Sequence, residues 1–257
     1  MLRSPKAAQR TRRKRDARRV MQLARAPEPR HADPGHPAAS GMRRPDDTAL
    51  PLRPRSESMP KRTRAPLDVL LTEIRACRAC EAELPLGPRP VVRAHRDARI
   101  LIVGQAPGAR VHASGIPWDD ASGKRLRGWL DVDADTFYDE MRFAIVPMGF
   151  CYPGRGASGD NPPRPECAQL WIDRLVAELP SVRLMLLIGQ YAQRQFLRES
   201  RKATLTDTVH AWRDYGPGVL PLPHPSPRNQ AWFKHHPWFD ADVVPELRRR
   251  VAPLVAG

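Results

Sequence analysis

Three short runs, ILIV at 100–103, FAIVPM at 143–148 and VRLMLLIG at 182–189, are almost wholly apolar, and a fourth, VLPLP, occupies 219–223. A strand with one wet face alternates apolar and polar residues, so continuous apolarity marks strands covered on both faces. Stretches with helical spacing separate these runs. LDVLLTEIRAC places Leu67, Val69, Leu70, Leu71 and Ile74 on one helical stripe. Ser122 is placed to cap a helix through RLRGWL. ECAQLWIDRLVAEL at 166–179, QYAQRQFLRES and the closing DADVVPELRRRVAPL, with a bend expected at Pro245, supply the others. Strands alternating with helices predict an α/β fold: a three-layer α/β/α sandwich around a central, mostly parallel four-stranded sheet. One domain over 65–257 accounts for the pattern.

Ligands of such sheets bind outside the carboxyl ends of the strands. Three distinctive loops fall there: GQAPG (Gly104, Gln105, Ala106, Pro107, Gly108) after the first strand, the Cys151 loop after the second, and HPSPRN after the fourth. GQAPG is no phosphate loop, because neither a Gly-Lys-Ser/Thr nor a GxGxxG pattern is present. HASGIPWDDASG follows it, placing Trp118, Asp119 and Asp120 close by; a flat base gains about 1–3 kcal/mol by stacking on an indole. His224 follows a strand and stands between prolines. Ser226, Arg228, Asn229, Trp232 and Lys234 continue with the interleaved polar, basic and aromatic composition suited to nucleic-acid backbone and bases.

Cys77 and Cys80 form a CxxC, and Cys151 and Cys167 flank a loop rich in Gly and Pro. By spacing alone these thiols suit zinc, an iron–sulfur cluster or separate buried positions. Four cysteines with no secretory signal point to a reducing, cytoplasmic setting, and no apolar run reaches membrane-spanning length.

The formal charge of +15 is unevenly spread: residues 1–64 hold 18 Lys/Arg against 6 Asp/Glu and contain no Phe, Trp or Tyr. Without aromatic anchors that segment is expected to be disordered. RTRRKRDARR reads either as an electrostatic arm for nucleic acid or as part of an upstream extension with Met59 as the start.

GQAPG, HPSPRN and the four cysteines, in this order, resemble the uracil-DNA glycosylase superfamily and within it the iron–sulfur, family 4-like branch, over about residues 66–255. The resemblance implies a DNA-repair N-glycosylase, acting as a monomer on DNA that contains a damaged base. It implies a [4Fe–4S] cluster on Cys77, Cys80, Cys151 and Cys167, with zinc as the rival. Gly115-Ile116-Pro117-Trp118 stands where the branch has G-x-P-F, whose aromatic stacks on the flipped base. His224 would stabilise the leaving base, with help from amides around Gln105 and Ala106. Ser226, Arg228, Asn229 and Trp232 would meet DNA, with Arg228 or Trp232 as the wedge. Three departures matter. Ala106 stands where some branches carry a water-orienting Asp, Gln105 where the branch usually has Glu, and Pro147 where an Asn reads uracil. Asp119, Asp120 and His112 are the nearest groups to position water. Those departures leave a silent nucleic-acid-binding module as the alternative, and an enzyme acting on a nucleotide or RNA base as another.

Overall fold

A computed structural model describes residues 66–157 and 159–256; the basic extension 1–64 and its expected disorder lie outside the described residues. The strands are β1 (Ile100–Val103), β2 (Phe143–Ile145), β3 (Arg155–Gly156), β4 (Gly159–Asp160), β5 (Leu184–Ile188) and β6 (Val219–Leu222). β1, β2, β5 and β6 form one sheet in the order β2–β1–β5–β6, parallel at every pairing. β3 and β4 form a small antiparallel hairpin outside it.

The helices are α1 (Pro66–Arg75), α2 (Ala109–Ser114), α3 (Ala121–Leu130), α4 (Ala134–Tyr138), α5 (165–177), α6 (Gly189–Leu197), α7 (Leu205–His210), α8 (Gln230–His235) and α9 (Val244–Val255). Alternate strand residues face opposite ways, and two cores result. Leu101, Val103, Met185 and Leu187 pack with Leu70, Ile74, Leu175 and Phe196 from α1, α5 and α6. Ile100, Ile102, Leu184 and Leu186 pack with Leu126, Phe137, Leu247 and Val251 from α3, α4 and α9. The expected three layers are therefore present. Among the described residues no helix is long and apolar enough to cross a membrane.

Two details differ from expectation. Asp120, not Ser122, caps α3: its extended backbone lets the carboxylate accept from Gly123 N at 2.8 Å, and Ser122 is buried inside the first turn. Pro245 sits in the first turn of α9, where a missing N–H costs little, and the π-helical Phe239–Val243 precedes it. The proline inside the helix is Pro253.

Candidate active site

Chain order reverses between β1 and β5: β1 leads to β2 on one side, and the chain then returns to β5 on the other. A crevice opens at such a switch point. Here it is a cleft of about 890 Å³, and its walls include Gly104–Gly108 after β1, Gly189 after β5 and His224 beyond β6. The three distant segments meet.

The first loop is stitched to the chain beyond β2. Met148 N donates to Gly104 O and Gly149 N to Gln105 O, both at 2.9 Å. The N–H groups of Gln105 and Ala106 find no acceptor among the described residues, so both remain as donors in a loop that lines the cleft. Trp118 covers this loop. A side chain begun on Gly104 would meet its Cζ2 at 3.0 Å, so the indole would have to shift by a few tenths of an ångström to admit one. The Trp118 backbone has φ 60°, the left-handed region that bulky residues avoid. Gly123 beneath its carbonyl and a 3.0 Å bond from the Tyr138 hydroxyl to Pro117 O hold that turn.

The indole and the His224 imidazole lie 5.6 Å apart, centre to centre, inclined by 32°. Ser226 N donates to His224 Nδ1 at 3.2 Å, so the neutral ring carries its proton on Nε2. Burial pushes the imidazole's pKa below the ordinary value, while the Asp120 and Asp160 charges pull it partly back. Asn229 Nδ2 donates to His224 O at 2.8 Å, and Arg125 donates to Ser226 O at 3.2 Å and to Gln230 Oε1 at 2.9 Å. The HPSPRN loop is thus pinned along its length. Its chemistry is a fixed, neutral N–H donor facing an aromatic wall.

Beyond the histidine, Ser226 Oγ accepts from Arg228 N at 3.2 Å, and Arg228 itself is exposed at the cleft rim. Trp232 lines the cleft but is tied down: its Nε1 donates to Thr206 Oγ1 at 2.9 Å and its ring stacks on His236 at 4.5 Å. Of the two expected wedges, only Arg228 has a side chain with no hydrogen bond or ion pair among the described residues. Pro147 lines the cleft with Ile145 and Val91, making an apolar wall.

The carboxylates sort differently from the sequence reading. Asp119 is absent from the cleft wall and approaches Arg110 at 4.0 Å. Asp120 lines the cleft but is engaged in capping α3. His112 is also outside the wall, and its Nδ1 is buried without a partner among the described residues. Asp160, which sequence reasoning missed, lines the cleft from the β3–β4 hairpin. A glycine-rich turn ending in Asp was its only signal.

All four cysteines border one small apolar hollow of about 10 Å³ and none forms a disulfide. Phe150 N points at Cys167 Sγ, 3.5 Å away. Burial pushes the Cys151 thiol up to about 11 and Cys167 up to about 12. Four thiols around one apolar hollow fit a thiolate-bound group in donor type, since a bound cation deprotonates such thiols outright. Among the described residues no three His, Cys, Asp or Glu side chains stand close enough to form a ready-made metal site.

A family model described as the uracil DNA glycosylase superfamily matches residues 92–248. The match takes in GQAPG, Trp118, HPSPRN, Cys151 and Cys167, and leaves Cys77 and Cys80 outside.

Proposed function

The chain belongs to the uracil DNA glycosylase superfamily, and from that premise we propose that it hydrolyses the N-glycosidic bond of uracil or a related deaminated base in DNA. One observation carries this reading: Trp118, His224 and the Gly104–Gly108 loop enclose a single cleft at the sheet's switch point. Enzymes that act on a base in duplex DNA must first extrude it, at a cost of a few kcal/mol. Stacking on Trp118 returns a similar amount, about 1–3 kcal/mol. Arg228, at the rim, enters the vacated position. As the bond stretches, negative charge collects on the base, and His224 Nε2–H with the free amides of Gln105 and Ala106 receives it. A neutral donor is suited to that task because it costs no reorganisation when charge develops. Pro147 gives the base edge an apolar neighbour, so selectivity rests on shape and on these donors instead of a side-chain amide.

The same proposal assigns Cys77, Cys80, Cys151 and Cys167 to a [4Fe–4S] cluster of the iron–sulfur branch, with zinc as the rival. Bound there, the group would staple α1 to the 151–167 loop and take no part in hydrolysis.

The test uses the full chain, purified anaerobically, on oligonucleotides bearing uracil, hypoxanthine, xanthine or hydroxymethyluracil. The wild type should release at least one base. His224→Ala should release it about 10²–10³-fold more slowly while still binding abasic DNA. DNA binding with no release from any lesion would instead favour the silent module, which Ala106 and Pro147 make the second reading. Visible charge-transfer absorbance should accompany the protein; a colourless, zinc-bearing preparation would refute the cluster.

A further inference from the structure

The first motif offers no carboxylate to handle water, because its third residue is Ala106. A carboxylate from elsewhere faces the same cleft. Asp160 ends β4, within the loop that runs from Cys151 to Cys167. Its Oδ2 lies 3.4 Å from the point where a side chain on Gly108 would begin, so it reaches over the end of the first loop. The hairpin is held in that place. Gln105 Nε2 donates to Asn161 O at 3.4 Å, Asn161 N to Gly154 O at 2.9 Å, and Asn161 Nδ2 to Pro153 O at 3.1 Å. On its other side Gly159 packs under Arg228, whose guanidinium would lie 2.8 Å from any added Cβ. Asp160 therefore stands between the first loop and the HPSPRN loop, at the mouth of the base cleft.

We propose that Asp160 is the catalytic carboxylate that holds and deprotonates the attacking water, an assignment that rests on the glycosylase reading above. Two arguments select it over its neighbours. Asp120 spends Oδ1 on the α3 cap and Asp119 stands outside the wall beside Arg110. The Asp160 carboxylate has neither a hydrogen bond nor an ion pair among the described residues, and it is exposed where it lines the cleft. A carboxylate engaged by neither a helix cap nor an ion pair keeps its lone pairs for a water molecule. Its charge is also felt at His224, which places it near the imidazole that receives the base. In the reaction the C1′–N electron pair leaves with the base. The water oxygen bonds to C1′, its proton passes to Asp160 and then to solvent, and the base anion takes a proton from solvent. The negative carboxylate also steadies the positive sugar as the bond lengthens.

Single-turnover release and abasic-duplex affinity test this with the full chain. Asp160→Asn should slow release by about 10²–10⁴-fold and leave abasic binding unchanged. Asp160→Ala should behave alike and recover in part when sodium formate is added, since formate restores a carboxylate to the space. An Asp160→Asn protein that turns over like the wild type overturns the assignment. So does loss in both variants with weakened abasic binding and no formate recovery, which would make Asp160 a prop for the hairpin. A wild type that releases no base fails the glycosylase reading itself, a result separate from either.

Discussion

Gly123→Ala is the sharpest test of how the base-stacking wall is held. An added Cβ would lie 2.6 Å from the Trp118 carbonyl carbon and 2.8 Å from its Cβ, with the carbonyl oxygen closer still. Ordinary contact begins near 3.4 Å, so the 118 backbone must retreat by at least about 0.8 Å. No rotamer change can relieve a clash with backbone. Helix propensity alone would favour alanine by about 1 kcal/mol. Against it stand overpacking, about 1–3 kcal/mol, and loss of the Asp120 cap on the Gly123 N–H, about 1 kcal/mol. The steric side wins, and the variant should be destabilised by about 1–3 kcal/mol. Displacing the indole by close to an ångström should also slow base release by about 10²-fold. Gly128→Ala supplies the control in the same helix: nothing lies within 4 Å of its added Cβ. It should gain about 1 kcal/mol and keep wild-type turnover. Urea melts and single-turnover assays read both variants. A Gly123→Ala protein that melts with Gly128→Ala and turns over normally would show that the loop over α3 does not fix Trp118.

Two further outcomes concern pH. Protonating His224 would set its Nδ1–H against the Ser226 N–H, so release needs the neutral ring; because burial lowers its pKa, the acid limb of the single-turnover profile should fall below the ordinary value of about 6.5. The unfolded chain takes that proton first, so this group's stability is full above about pH 6.5 and declines as pH falls; a limb at or above that pH would contradict the assignment. Glu246 accepts from Arg249 at 2.7 and 2.9 Å and from Arg250 at 2.7 Å, which holds its carboxyl down at about 2. That is worth at most about 3 kcal/mol above an unfolded pKa of about 4.3, and it is lost as pH falls toward 2. Glu246→Gln should therefore cost about 1–3 kcal/mol in urea melts at pH 7, with the gap narrowing in acid; a constant gap would refute it.

Burial on both faces writes itself into a strand, which is why β1 is legible to the residue and β5 to within two. The same physics placed GQAPG, Trp118 and His224 at one rim, because loops after parallel strands share an end of the sheet. Other features depend on folded context. Asp120 and Ser122 are both good caps, and a two-residue choice of helix start decides between them. Trp232 beside a basic loop reads alike whether it meets a base or, as here, Thr206 and His236. Asp160 reaches the cleft only because a hairpin folds back with Gly159 at φ 150°, and no periodicity announces such a reversal.

The replacements at 106 and 147 belong to a coherent site once Asp160 is counted. Ala106 puts no carboxylate in the first loop, and Trp118 packs closely on Gly104, with 3.0 Å between its Cζ2 and the point where a side chain there would begin. Pro147 offers the cleft no side-chain amide, while Met148 and Gly149 donate to Gly104 and Gln105 and keep the first loop in register. The charge that handles water then comes from the far side, on a loop whose two ends are Cys151 and Cys167. Hairpin, first loop and HPSPRN loop interlock through Gln105–Asn161 on one flank and Gly159–Arg228 on the other. The wedge proposed above would require Arg228 to leave Gly159 on entering the duplex, whereas Asp160 beside it is already exposed to the cleft.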